Sequence, residues 1–164
     1  MKVSSDGATT RVTTEDVIDA VVSASRALVG VAARSIAATG EDVTVVQYRT
    51  LVVLASRGPQ SLGGLATLVG VTPATATRMC DRLVRKHLIT RHTQRGDRRQ
   101  IRVSLSPRGR QMVDAATEFR RREIRRIIAT IAPDEQRLLV RALTDFARAA
   151  GEMSDEQWLS DWDV

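Results

Sequence analysis

Two short stretches of this chain carry residue types able to grip a polyanion. From Thr72 to Lys86, apolar Ala76, Met79, Cys80 and Leu83 recur at helical spacing, which leaves Thr75, Thr77, Arg78, Arg82 and Arg85 on the opposite face. Arginine can hold guanine through two parallel hydrogen bonds, and threonine can touch a thymine methyl or a phosphate. Further on, Asp97-Arg98-Arg99 belongs to a turn, Arg95 to Arg99, between two strand-like stretches. Guanidinium groups at the tip of a projecting hairpin suit the negative potential of a narrow minor groove. A charged helix face is often only a solvated one, and any exposed hairpin can carry charge. It is the order of the two features that is specific.

Both features need elements to position them. Leu62 to Val69 reads as a brief helix stopped by Gly70. Thr72 then caps a second helix with Pro73 in its first turn, running to about Lys86. Leu65, Ala66, Val69 and Val71 are spaced to pack the two together, which makes a helix-turn-helix. Leu88 to His92 and Gln100 to Leu105 read as the strands of the hairpin, with Ile101, Val103 and Leu105 on one face. Upstream, a helix from Thr14 to about Ala38 is followed by one opening at Thr44, where Thr44 and Gln47 fit a capping box, and closing at Gly58-Pro59. Downstream, Ser106-Pro107 opens a long helix to about Ile131, and Ala132-Pro133-Asp134-Glu135 separates it from a last helix ending near Ala150. Residues 1–12 read as a disordered tail and 151–164 as an acidic tail containing Trp158 and Trp162.

Charge points to the same middle segment. The chain of 164 residues has a net charge of +6. Between Arg57 and Arg110, twelve basic residues face only two acids, Asp81 and Asp97, which gives +10 there and −4 elsewhere. The middle therefore faces a polyanion and the ends serve another purpose. Aromatic residues make up 3% of the chain, so the core must come from Leu, Val, Ile and Ala. No apolar run approaches the ~20 residues that span a bilayer, and no signal peptide is visible. A single cysteine, Cys80, excludes an intramolecular disulfide framework and fits a reducing cytoplasm.

Other reactive side chains have plainer readings. Cys80 occupies an apolar packing position of its helix, which favours a structural role over redox sensing. His87 and His92 lack companions at metal-ligand spacing. The run Arg120-Arg121-Arg122 with Arg125 and Arg126 is interleaved with Glu118 and Glu123, as on a solvated or dimer-lining face. No Gly-rich phosphate loop, metal cluster or nucleophile beside a base is present, so the expectation is no enzyme, no cofactor and no metal.

The run Thr72-Pro73-Ala74-Thr75-Ala76-Thr77-Arg78-Met79-Cys80-Asp81-Arg82-Leu83-Val84, then Leu88-Ile89, Asp97-Arg98-Arg99-Gln100-Ile101-Arg102-Val103-Ser104-Leu105-Ser106 and Gly109, resembles the MarR family of bacterial regulators. The resemblance covers about Thr14 to Ala150. It implies an obligate homodimer whose first, fifth and sixth helices interlock, with a winged helix on each lobe. It also implies repression through near-palindromic operators, and release from DNA by small phenolic or lipophilic compounds. Carried over by position, Arg98 is similar to the family's minor-groove arginine, and Thr72, Thr75, Thr77 and Arg78 to its groove-facing residues. Asp97 and Arg99 would brace the wing, with Asp81 as a partner.

The expected fold is therefore mainly α (α+β), a winged helix-turn-helix at about 44–105 inside a 13–150 domain, with dimerisation helices at 14–38 and 107–150. The expected function is a cytoplasmic, homodimeric, sequence-specific regulator of transcription. Its expected partners are double-stranded DNA with a near-palindromic operator, a second copy of itself and a small aromatic or lipophilic effector, with no membrane. The expected DNA-binding residues are Thr72, Thr75, Thr77, Arg78, Arg82, Arg98 and Arg99, with Asp97 and Asp81 bracing the wing. A non-specific architectural DNA-binding protein is the alternative.

Overall fold

The structure is a computed structural model. It describes residues 11–94 and 97–151, with the side chains of residues 93–100 excepted. The N-terminal tail reading thus lies outside the described residues except for its last two positions. The acidic tail with Trp158 and Trp162 lies outside them after Gly151.

Six helices and three strands follow one another as α1 (Thr14–Ala37), α2 (Val45–Arg57), β1 (Gln60–Ser61), α3 (Leu62–Val69), α4 (Pro73–Arg85), β2 (Ile89–Gln94), β3 (Asp97–Leu105), α5 (Pro107–Ile128) and α6 (Pro133–Ala149). Local chemistry sets most boundaries. Thr13 and Thr44 each accept from the backbone N–H three residues on, while Asp16 and Gln47 reach back to the cap, so both helices open on complete capping boxes. Ser61, Thr72 and Ser106 cap α3, α4 and α5 in the same way without the return bond. Gly70 turns the chain between α3 and α4 with φ +73°, a left-handed conformation that costs glycine nothing. The end of α4 makes a similar turn with His87, at φ +58°. The His87 and Leu88 amides donate to the Val84 and Leu83 carbonyls there.

The strands form one antiparallel sheet in the order β1-β3-β2. Gln60 pairs with Val103, and Ile89 with Leu105. The two-residue β1 leaves no mark in the sequence, because a pairing that short has no periodicity to detect. Two other expectations change. Helix α5 ends at Ile128 rather than Ile131, with Ala129 as its cap. Asp97-Arg98-Arg99 lies in β3 rather than in the turn, because Gln94 pairs with Asp97 and only residues 95–96 connect the strands. The ladder jumps from Thr93↔Ile101 to Gln94↔Asp97, so β3 accommodates Arg98, Arg99 and Gln100 in a bulge.

The core sits in the middle of the chain. Leu51, Leu65, Leu83, Leu88, Ile89, Val103 and Val113 are fully buried, and Met112 and Ala116 carry this core onto the first half of α5. Val103 is buried and Leu105 half-buried, but Ile101, on the same face, is exposed where the hairpin runs past the core. At the ends of the chain the pattern reverses. Helix α6 buries none of its residues, and Val17, Ile18, Val22, Leu28 and Val29 of α1 stand exposed. No helix among the described residues is long and apolar enough to cross a membrane.

Candidate nucleic-acid interface

Helix α4 is the most strongly two-sided element of the middle segment. Ala76, Met79, Cys80 and Leu83 are buried against α3 and the strands. Thr72, Thr77, Arg78, Arg82 and Arg85 are exposed, and among the described residues the three arginines have no ion-pair partner. Such guanidiniums keep all their donors for an outside ligand. Thr75 is only half-buried, and Thr72 Oγ1 donates to its Oγ1 at 2.9 Å. The Thr77 hydroxyl donates to the Pro73 carbonyl at 3.0 Å. Thr72 and Thr77 therefore present methyl groups and a remaining acceptor rather than a free donor, whereas Thr75 keeps its own O–H to donate.

Cys80 is fully buried beside this face, and burial pushes its thiol up from the ordinary value. The nearby Arg91 guanidinium opposes that shift and the Asp81 carboxylate adds to it. A thiol held protonated in an apolar setting packs like a small hydrophobe. His92 shares a 2.9 Å hydrogen bond with Thr90 Oγ1. Among the described residues no group of His, Cys, Asp or Glu could hold a metal ion.

The hairpin projects beside α4. Asp97, Arg98 and Arg99 occupy the first positions of β3, and their side chains lie outside the described residues. Asp81 forms a 2.6 Å ion pair with Arg91 of β2, and its expected part in bracing the wing with Asp97 and Arg99 falls on side chains outside the described residues. Sequence reasoning missed Arg91 because the partners are on different elements, with no helical or strand spacing to relate them.

A joint behind the interface locks α4 to α5. Ser106 Oγ accepts from the Gly109 amide at 2.9 Å and donates to the His87 carbonyl at 2.6 Å, and the Ser106 amide donates to the Leu88 carbonyl at 3.1 Å. A Cβ on Gly109 would lie 2.0 Å from the Leu88 carbonyl oxygen, so only glycine permits this approach. Two ion pairs add to the joint from the loop after α1. Glu41 takes Arg108 at 2.7 Å, and Asp42 takes Lys86 at 3.2 Å.

This geometry, two helices joined at Gly70 with a hairpin beside the second, is matched by known proteins. The MarR family model matches residues 43–101. The crystal structure of Rv1404 from Mycobacterium tuberculosis is 48% identical, covers 88% of this chain and 99% of that one, and superposes with a TM-score of 0.80. The chain belongs to the MarR family. The family's regulators are winged-helix proteins of transcription rather than enzymes, and this MarR-family chain has their mainly helical fold with a small three-stranded antiparallel sheet. An uncharacterised HTH-type transcriptional regulator of Bacillus subtilis, YhbI, is 32% identical over 75 residues, 46% of this chain and 49% of its own length. The match thus spans about half of that relative. A MepR mutant from S. aureus, bound to an oligodeoxyribonucleotide, is 20% identical over 85% of this chain and 99% of that one, and shares the MarR fold with a TM-score of 0.62.

Proposed function

We propose that this MarR-family chain is a cytoplasmic homodimer that represses transcription by binding a near-palindromic operator, and that a small aromatic or lipophilic effector releases it. The observation that carries the DNA reading is the exposed face of α4, where Arg78, Arg82 and Arg85 have no ion-pair partner among the described residues and stand beside a projecting hairpin. In this reading Thr72, Thr75, Thr77, Arg78 and Arg82 meet the major groove, Arg98 and Arg99 the adjacent minor groove, and Asp97 braces the wing. Two such units on one face of B-DNA would sit about 34 Å apart. The oligonucleotide bound by the structurally similar MepR mutant supports a nucleic-acid partner for the shared fold.

The dimer reading is supported by the flanking helices. Leu138, Leu143 and Phe146 of α6 are 66%, 51% and 55% exposed in the single chain, and α1 shows a comparable apolar face. A continuous exposed face of this kind is what a second copy would cover. The boundaries follow, with a winged helix at about 44–105 and dimerisation segments on either side. The effector reading draws on the α1–α2–α5 junction. Arg120 lies 5.6 Å over the Tyr48 ring and reaches Ser35 Oγ at 3.5 Å, while Tyr48 Oη and Arg120 Nε are buried without a hydrogen-bond partner among the described residues. Buried polar atoms left unpaired are costly, and a small ligand that satisfied them would bind there.

One experiment tests the central claim. The full chain is used to select duplexes from a random pool, and its sedimentation is measured alone and with the winning duplex. A symmetric site bound by two copies supports the proposal. Recovery of duplexes with no shared sequence means architectural binding and refutes it.

A further inference from the structure

Asp81 is out of place on a helix face meant for phosphates. It is the only acid in α4, and Thr77, Arg78 and Arg85 flank it one turn away on either side. A carboxylate there repels the DNA backbone unless it has another task. Two arginines of its own helix are within ordinary (i, i+3) or (i, i+4) reach, yet its 2.6 Å partner is Arg91, ten residues on and in β2. Arg91 shares its strand face with Ile89 and pairs across the ladder with Val103, both fully buried. It is thus the position where the inner face of the hairpin runs off the apolar core. Ile101, one ladder step further along the same face, is already exposed.

We propose that the Asp81–Arg91 ion pair is a strut that sets the angle of the wing against the recognition helix, so that both enter adjacent grooves together. Both residues are positioning residues, and the inference rests on the DNA-binding reading above. The pair is not a stability element, because the two side chains are 46% and 33% exposed and such pairs contribute little to folding. Its effect is on the wing's orientation, which the bulge at Arg98–Gln100 otherwise leaves to a short ladder.

The sign of the Asp81→Ala effect decides the matter. Deleting a carboxylate from a DNA-facing helix should, on charge alone, tighten binding. The strut predicts the opposite. A duplex selected by the parent chain is titrated with the parent, Asp81→Ala, Arg91→Ala, Arg91→Lys and the double Ala variant over a salt series, with hydroxyl-radical and guanine-N7 footprints. We expect each single Ala variant to bind about tenfold more weakly and the double variant to bind no worse than the weaker single one. Arg91→Lys should recover most of the loss. Minor-groove protection on the flanks should fade while major-groove protection stays, and thermal midpoints should remain within about 4 °C of the parent. Equal or tighter binding by Asp81→Ala overturns the strut, as does an additive double variant or a larger fall in midpoint. A parent that selects no duplex overturns the DNA reading itself, and the strut with it.

Discussion

Replacing Gly109 with alanine should destabilise this protein by about 3 kcal/mol, although the residue lies in a helix, where alanine is ordinarily favoured. Intrinsic propensity alone predicts a gain of about 1 kcal/mol. Against that stands the Leu88 carbonyl oxygen at 2.0 Å from the new Cβ, with Leu105 Cδ1 at 2.8 Å and the Leu88 carbonyl carbon at 3.0 Å. The closest atom is backbone, so relief needs α5 and the α4–β2 corner to separate by more than an ångström. That movement stretches the two Ser106 hydrogen bonds that cross the joint, to the His87 and Leu88 carbonyls, each contributing roughly 1 kcal/mol. Overpacking of the surrounding core adds about 1–3 kcal/mol. Gly63→Ala is the matched control: it too lies in a helix, but its Cβ would meet nothing within 4 Å. It should stabilise by about 0.5–1 kcal/mol. Urea denaturation followed by circular dichroism measures both. If Gly109→Ala proves as stable as the parent, α5 does not approach the corner as closely as described, and the rigid joint behind the interface is wrong.

Further expectations concern the wing, the dimer and the cysteine. Arg98→Ala should weaken binding to a selected duplex about tenfold and flatten any preference for A·T-rich flanks; equal affinity across a salt series removes Arg98 from the minor groove. Leu143→Asp should convert the dimer to monomer in sedimentation and cost about a hundredfold in operator affinity, because two half-sites no longer act together. A dimer that survives this change does not use α6. Cys80 should resist alkylation in the native protein and react on denaturation. Since burial raises its folded pKa, the unfolded thiol ionises first, from its ordinary 9.0. The stability it contributes is whole below that pH and declines as pH climbs through the folded value. Denaturation midpoints from pH 8 to 10.5, against Cys80→Ala, would show the slope or its absence.

Legibility tracked the range of the interactions. The Thr44 capping box, the Thr72-Pro73 start of α4, the stop at Gly70 and the buried stripe Ala76, Met79, Cys80 and Leu83 are all legible in the sequence. Each depends on residues within one or two turns, and local hydrogen bonds and side-chain period decide them. The capping box of α1 is carried equally locally by Thr13 and Asp16, one residue ahead of the expected start at Thr14. The hairpin was expected, but its turn was drawn three residues too wide, because a bulge has no signature in alternation when its residues are charged.

The candidate interface divides in the same way. Amino-acid order alone determined that residues 62–105 would form a helix-turn-helix, with the arginines of its second helix outward, and a hairpin, since helical spacing and the location of the +10 charge are properties of the chain itself. Only the tertiary structure decided that Asp81 turns to Arg91, that β1 adds a third strand through Gln60 and Val103, and that Gly109 meets Leu88 across the α4–α5 joint. Those contacts join residues with no periodic relation, and their geometry exists only once the core has brought the elements together.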